Sequence, residues 1–364
     1  MAIQNTVLLN TKRHISASVF YGNPAYQHLN DLIESSNPSK LFILTDMNTR
    51  KHCAGRFLEK LNSKMTPIVL EIPNGETSKS IEHCSKLWEQ LSNHGADRHS
   101  LLINLGGGVV TDLGGFVAGI FMRGIKFVNV PTSLLGMVDA AIGGKTGIDL
   151  GSLKNQIGIM NFPEMVIIDS VFLKTLPATE ISSGWAEVIK HGLICDRKYW
   201  DYCSDLDCLQ ITDWEDIIKT SVNIKLNVVE TDAYEKNWRK VLNFGHTFGH
   251  AIESYRLECP EQALSHGASI GIGMVLAAYF SVQLTGLEKT TAHKVRNVVT
   301  QLYGIEHFDS KSRERIEQLL KYDKKKSNGQ TTFVLLESVG KALVEAKVPS
   351  ELYSKAFDYY EFGI

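Results

Sequence analysis

Strand-length apolar runs alternate with helical stretches through the first half of the chain and then stop. The runs cover residues 41–44, 68–72, 101–105, 127–130 and 165–168, and the stretches 26–34, 50–61 and 80–91 place apolar residues three or four apart. Such alternation predicts a mainly parallel sheet covered by helices. Beyond Pro177 helical periodicity carries residues 182–193, 214–229, 246–255, 268–284 and 295–303. One late exception, residues 332–336 with 342–344, reads as a small hairpin. The expected organisation is an α/β domain over residues 1–178 and a mainly α-helical domain over 179–364. A length of 364 residues accommodates two domains at roughly 150 residues each.

The chain's 29 glycines are unevenly spread. Gly106, Gly107, Gly108, Gly114, Gly115, Gly119, Gly124, Gly136, Gly143, Gly144, Gly147 and Gly151 crowd one segment, a density that points to backbone approaching a ligand. Residues 105–115, LGGGVVTDLGG, follow a predicted strand and open a predicted helix, where backbone N–H groups can meet a pyrophosphate. The competing reading is a tight turn with close helix packing. The spacing is not GxGxxG, and Gly143-Gly144-Lys145-Thr146 fails as a phosphate loop because Asp139 stands where a glycine is required. Lys145 instead joins Arg123, Lys154 and Asn155 as polar groups able to surround an anion.

With 38 basic and 40 acidic side chains the formal net charge is −2, so no general field holds nucleic acid or an anionic membrane. No apolar run of membrane-spanning length is expected, and residues 1–5 lack the charged and apolar regions of a signal peptide. A cytoplasmic location is expected. Six cysteines form no CxxC pair, which reads as reduced thiols.

The second half supplies a metal-like set. His246 and His250 are four apart on one predicted helix face, His266 precedes a glycine, and Glu187 lies in an apolar helical stretch. Three such ligands with an open fourth position suit a catalytic divalent ion, although two ordinary histidines in a polar network give the same spacing. His191, four residues after Glu187, is a reserve candidate.

Together these residues resemble the 3-dehydroquinate synthases, within the wider sugar-phosphate cyclase family. The resemblance runs from Thr45-Asp46 to Asp323-Lys324-Lys325 and is carried by residues 106–115, 122–124, 131–139, 143–147, 186–190 and 243–250. It implies a Rossmann-like α/β domain followed by a helical metal-binding domain. The implied activity closes 3-deoxy-D-arabino-heptulosonate 7-phosphate into 3-dehydroquinate with release of phosphate, using NAD+ and a divalent metal, zinc or cobalt, in a homodimer. By the same resemblance Glu187, His246 and His266 are the metal ligands. Asp46, Glu76, Lys79, Gly107, Gly108, Val109, Asp112, Thr132, Ser133, Lys145 and Lys154 are the nucleotide contacts. Arg123, Asp139, Lys145, Asn155, Lys190, Lys225, Arg239, Asn243, His250 and one of Lys324 and Lys325 face the substrate, with His250 as a proton shuttle.

Three features depart from the family pattern. Ala268 replaces the usual glutamate after His-Gly and threatens a partner of His266, residues 148–153 replace an Asn-His-Pro turn, and the segment between His250 and His266 is longer. The competing readings are a sibling cyclase, a polyol dehydrogenase of the glycerol dehydrogenase type, and a silent binding protein on the same scaffold.

Overall fold

The computed structural model describes residues 17–151, 153–258, 261, 263–324 and 331–364, with the side chains of 153 and 321–324 excluded. The strands are β1 (Ser18–Tyr21), β2 (Leu41–Asp46), β3 (Ile68–Ile72), β4 (Leu101–Gly106), β5 (Lys126–Pro131), β6 (Lys145–Leu150), β7 (Leu153–Met160), β8 (Met165–Ile168), β9 (Phe333–Ser338) and β10 (Lys341–Ala346). The first half contributes helices α1 (Gly22–Ser36), α2 (Met47–His52), α3 (Ala54–Lys60), α4 (Ile81–Asn93) and α5 (Gly108–Ile120). The second contributes α6 (Ala178–Cys195), α7 (Arg197–Cys203), α8 (Glu215–Thr231), α9 (His246–Leu257), α10 (His266–Leu284), α11 (Lys289–Tyr303), α12 (Ser310–Lys324) and α13 (Tyr353–Phe362).

Six strands form one sheet in the order β1-β8-β5-β4-β2-β3, and every pairing in it is parallel. The two-residue period of the strands divides their side chains between two cores. Phe42, Leu44, Leu102 and Phe127 point into a small core with α4 and α5, whereas Ile43, Leu101, Ile103 and Val128 join a large core that continues into the helical half. The chain leaves β2 toward β3 on one side and returns to β4 on the other. The order therefore reverses between β2 and β4, and in open α/β sheets the crevice beyond the strands' carboxyl ends at such a point receives ligands.

Most of the crowded glycines serve packing. A Cβ on Gly114, Gly115 or Gly119 would lie 1.9 Å from Asn104 Oδ1, 2.4 Å from Thr146 Cγ2 and 2.2 Å from Ile159 Cδ1 respectively. Their bare backbone lets α5 lie directly on β4 and on the antiparallel β6–β7 hairpin, a feature that the sequence periodicity did not predict. Only Gly107 and Gly108 stand at the open start of α5, so the expected approach of ligand to backbone narrows to them.

The expectation that no stretch reaches membrane-spanning length is corrected by α10. This helix is 19 residues long and apolar enough to cross a bilayer, yet 78% of its apolar window is buried within the protein. It packs against α6, α9, α11, α13 and β9, and a helix apolar all round is what the centre of a bundle requires.

Candidate active site

Two helices begin on histidines. Gly245 turns the chain into α9 with φ of 80°, a conformation that disfavours a side chain, and a Cβ there would also strike Met274 Cγ at 2.5 Å. His246 is thereby the first residue of α9. Ser265 caps α10 by accepting from Ala268 N at 3.2 Å, which makes His266 its first residue. Gly267 then abuts α6 so closely that a Cβ would lie 2.2 Å from Ser183 O, while its N–H donates to Ser183 Oγ at 3.1 Å. Glu187 lies one turn beyond Ser183, fully buried, and so meets both histidines. Its Oε1 is 3.5 Å from His246 Nε2 and 3.9 Å from His266 Nε2.

The three ligand atoms lie within 4.8 Å of one another. Both oxygens of Glu187 are buried without a hydrogen bond, although the Lys190 ammonium makes an ion pair with Oε2. A buried carboxylate whose Oε1 has no hydrogen bond and faces two imidazoles is a donor set that fits a divalent cation.

A cationic wall adjoins this group. Lys225 Nζ donates to the backbone oxygen of Asp139 and, at 2.6 Å, to its Oδ1. Burial raises the Asp139 carboxyl, but Lys225, Lys190 and His191 outweigh it and hold the group well below its ordinary value. Burial lowers Lys225, with Asp139 opposing the shift and Arg239 and Lys190 adding to it. Arg239, 1% exposed, donates to the backbone oxygens of Gly143 at 2.8 Å and Ala233 at 2.7 Å. It anchors the turn before Lys145. Lys145 pairs with Glu235, whose Oε1 also accepts from Asn243 at 2.9 Å.

The residues expected to face a nucleotide gather at the carboxyl edge of the sheet. Asp46 ends β2 and caps α2, accepting from Thr49 N at 2.8 Å. Gly107 starts α5 with no side-chain cap and no acidic residue in the first turn, which includes Val109. Thr132 N donates to Gly106 O at 3.0 Å, and Ser133 Oγ would sit 3.2 Å from a Cβ on Gly107. Buried Lys79 pairs with Asp112 at 2.9 Å and with Glu76 at 3.8 Å, and it donates to Asn155 Oδ1. Burial disfavours its charge, but these carboxylates keep it protonated.

Lys154 lies 3.4 Å from Glu76 and 2.6 Å from Glu253, and Glu253 Oε2 faces His266 Nδ1 at 3.3 Å. A ladder of alternating charge therefore joins Asp112 in α5 to His266. Of the altered 148–153 stretch, Ser152 lies outside the described residues; residues 148–150 end β6, and Asp149 Oδ1 accepts from Asn155 N at 2.7 Å.

The other candidates are placed variously, and His191 adjoins the cluster: with Asp139 and Glu187 it offers ligand atoms within 4.8 Å of one another. Arg123 is exposed with φ of 68°, and among the described residues no hydrogen bond or ion pair joins it to the cluster. The Lys324 side chain and all of Lys325 fall outside the described residues, as do Cys259, Pro260 and Gln262 of the lengthened segment. His191 is fully buried, with Nδ1 3.1 Å from Ser221 Oγ and Nε2 4.0 Å from Asp139 Oδ1. Sequence reasoning missed Glu235 and Glu253. The signal for Glu253 was its spacing: His246, His250 and Glu253 fall at i, i+4 and i+7 on one face of α9.

The histidines predict a pH response. Burial, followed by Lys190, brings His191 well below its ordinary range, whereas His250 is exposed and solvent screens the lowering that its neighbours impose. His191 is therefore neutral in the folded protein but takes up a proton near about 6.5 when unfolded. The unfolded state then binds more protons, so stability rises with pH through this window and is lost toward acid. The urea midpoint of metal-free protein is expected to fall steadily between pH 6.5 and pH 4.5, as roughly set by these values. A level midpoint would contradict the assignment.

Comparison with known proteins agrees across nearly the whole chain. The profile described as 3-dehydroquinate synthase N-terminal matches residues 69–183, and that described as 3-dehydroquinate synthase C-terminal matches 184–326. A 3-dehydroquinate synthase from Parabacteroides distasonis is 38% identical over 342 residues, covering 92% of this chain and 96% of its own. One from Thermoanaerobacter pseudethanolicus is 37% identical over 344 residues, covering 93% and 96%. Among solved structures, 2-epi-5-epi-valiolone synthase from Streptomyces hygroscopicus, with NAD+ and Zn2+ bound, superposes with a TM-score of 0.82 at 24% identity, covering 95% of this chain and 96% of that one. Glycerol dehydrogenase from Schizosaccharomyces pombe shares the fold at a TM-score of 0.63 and 13% identity, covering 95% and 89%. On the strength of both profiles and these relatives, the chain belongs to the 3-dehydroquinate synthase family.

Proposed function

We propose that this protein converts 3-deoxy-D-arabino-heptulosonate 7-phosphate into 3-dehydroquinate and phosphate, with NAD+ and a divalent ion, zinc or cobalt. The observation that carries the reading is the Glu187/His246/His266 group set against Lys190, Lys225 and Arg239: a metal-competent site beside concentrated positive charge in a chain of net charge −2. The family's relatives carry this activity in their names, and structural neighbours contain NAD+ with Zn2+ or Co2+.

Glu187, His246 and His266 would hold the ion, and Gly107, Gly108 and Val109 at the start of α5 would receive the nucleotide's pyrophosphate, with Asp46, Glu76, Lys79, Asp112, Thr132, Ser133 and Lys154 around it. When bound, the ion acidifies a substrate hydroxyl and NAD+ takes up and later returns one hydride. Lys190 and Lys225 stabilise the anionic oxygen on the substrate, and Asp139 keeps their ammonium groups oriented. Arg239 holds the Gly143–Gly144 turn so that Lys145, with Asn155 and Asn243, can meet carboxylate or phosphate oxygens. His250 begins neutral and so accepts a proton at its ring before it donates one. The substrate's own phosphate removes the proton beside the transient ketone as it leaves, so no strongly basic side chain is needed. Residues 1–178 would thus serve the nucleotide and lend Asp139, Lys145 and Asn155 to the substrate, and 179–364 would supply the metal ligands and the rest of the substrate site.

Purified protein given NAD+, Zn2+ and the heptulosonate phosphate is expected to release phosphate in step with 3-dehydroquinate and without net NADH. Accumulation of NADH would indicate a dehydrogenase, and a different carbocycle a sibling cyclase. Either result, or no phosphate release, overturns the proposal.

A further inference from the structure

Glu253 is 3% exposed on α9, and its two carboxylate oxygens face separate partners. Oε1 accepts from Lys154 Nζ at 2.6 Å, and Oε2 faces His266 Nδ1 at 3.3 Å. A buried carboxylate is retained in its charged form only where specific partners compensate for lost water. Here those partners are the Lys154 ammonium and the His266 ring. The two histidines of the metal group are therefore held differently: His246 Nδ1 lies 3.1 Å from the backbone oxygen of Phe244, whereas His266 relies on a side chain.

We propose that Glu253 is the positioning residue of the metal centre, fixing the ring orientation and tautomer of His266 by accepting its Nδ1–H. The proposal rests on reading Glu187, His246 and His266 as the metal ligands. With the proton on Nδ1, the free lone pair of His266 is on Nε2, the atom that faces Glu187. A carboxylate behind a ligating imidazole also raises its basicity toward the ion. Lys154 makes the arrangement unambiguous, because its ammonium occupies Oε1 and leaves Oε2 for the ring. Glu253 also resolves the departure at position 268. The alanine there carries no carboxylate, but its N–H closes the Ser265 cap that starts α10 on His266, and Glu253 supplies the acceptor from a neighbouring helix.

A rival arrangement exists on the same residues. His250, Glu253 and His266 also offer ligand atoms within 4.8 Å of one another, which would make Glu253 a ligand itself. The two roles separate by degree. A partner behind a ligand typically changes metal affinity by about 10- to 100-fold, whereas a lost ligand costs more and alters stoichiometry.

The test measures Zn2+ affinity of metal-free protein by competition with a chromophoric chelator and records the d–d spectrum after loading with Co2+, for wild type, Glu253→Gln and His246→Ala. Glu253→Gln keeps the shape and an acceptor oxygen, so it is expected to fold with a melting temperature close to wild type before metal is added. It should still bind one ion, about 10- to 100-fold more weakly, with a shifted cobalt spectrum. His246→Ala should lose stoichiometric binding. Wild-type affinity and spectrum in Glu253→Gln overturn the positioning role while leaving the ligand set standing. A loss as complete as that of His246→Ala overturns it in favour of direct ligation. Wild-type binding by His246→Ala overturns the ligand set and this inference together.

Discussion

His246→Ala is expected to fold, to retain no stoichiometric zinc and to lose turnover in proportion. The imidazole lies at the rim of α9, with its side chain 13% exposed, and its one defined hydrogen bond is to the Phe244 carbonyl, so removing it leaves the helix start and the Gly245 turn intact. What disappears is Nε2, the donor 3.5 Å from Glu187 Oε1. Glu187 and His266 remain as two donors, fewer than the three protein ligands that catalytic zinc sites use. The loss of affinity should therefore exceed the roughly 100-fold upper range for removing a supporting partner. Elemental analysis after gel filtration checks the stoichiometry, and one zinc per chain in the variant would contradict it.

How much of this centre was legible follows from how each residue is specified. Strand-length apolar runs marked five strands of the main sheet, because β2, β4, β5 and β8 are buried on both faces and announce themselves by composition, and edge strand β3 keeps all but Glu71 apolar. Strand β1 escaped, being four residues long at a sheet edge, and the β6–β7 hairpin escaped because Gly147 and Gly158 let two backbones meet where side chains would mark a strand. The clustering of Glu187, His246 and His266 was legible because these residue types are unusual beside apolar helical runs. Glu235 was not: it enters the site from a turn, with φ of 56°, through contacts to Lys145 and Asn243 that no local pattern encodes. The glycine run was legible as a signal but ambiguous in meaning, since an absent Cβ serves a helix against a strand as well as a phosphate against a helix. Only the distances from Asn104, Thr146 and Ile159 separated the two uses.

Lys225→Met is expected to lower stability by about 3 kcal/mol at neutral pH, the lower end of the range for breaking a buried pair by removing one partner. Lys225 reaches from α8 to Asp139, whose backbone oxygen and Oδ1 both take its ammonium, so one substitution leaves two acceptors without their donor. The Asp139 side chain is 25% exposed, and water reaching it limits the cost. Asp139→Asn should be milder, because burial already lowers the Lys225 ammonium and it can shed its proton once the carboxylate is gone. The double variant should then recover part of the combined loss, with a coupling energy of about 0.5–3 kcal/mol. The sign with pH discriminates the cause. The Asp139 carboxyl is depressed in the folded protein, so its stabilising share is present above about 3.9, the unfolded value, and is lost as pH falls through the folded one. The difference between wild type and Lys225→Met in urea unfolding should accordingly shrink toward acid. A penalty unchanged at pH values well below about 3.9 would mean that Lys225 stabilises the protein through its packed methylenes and not through Asp139.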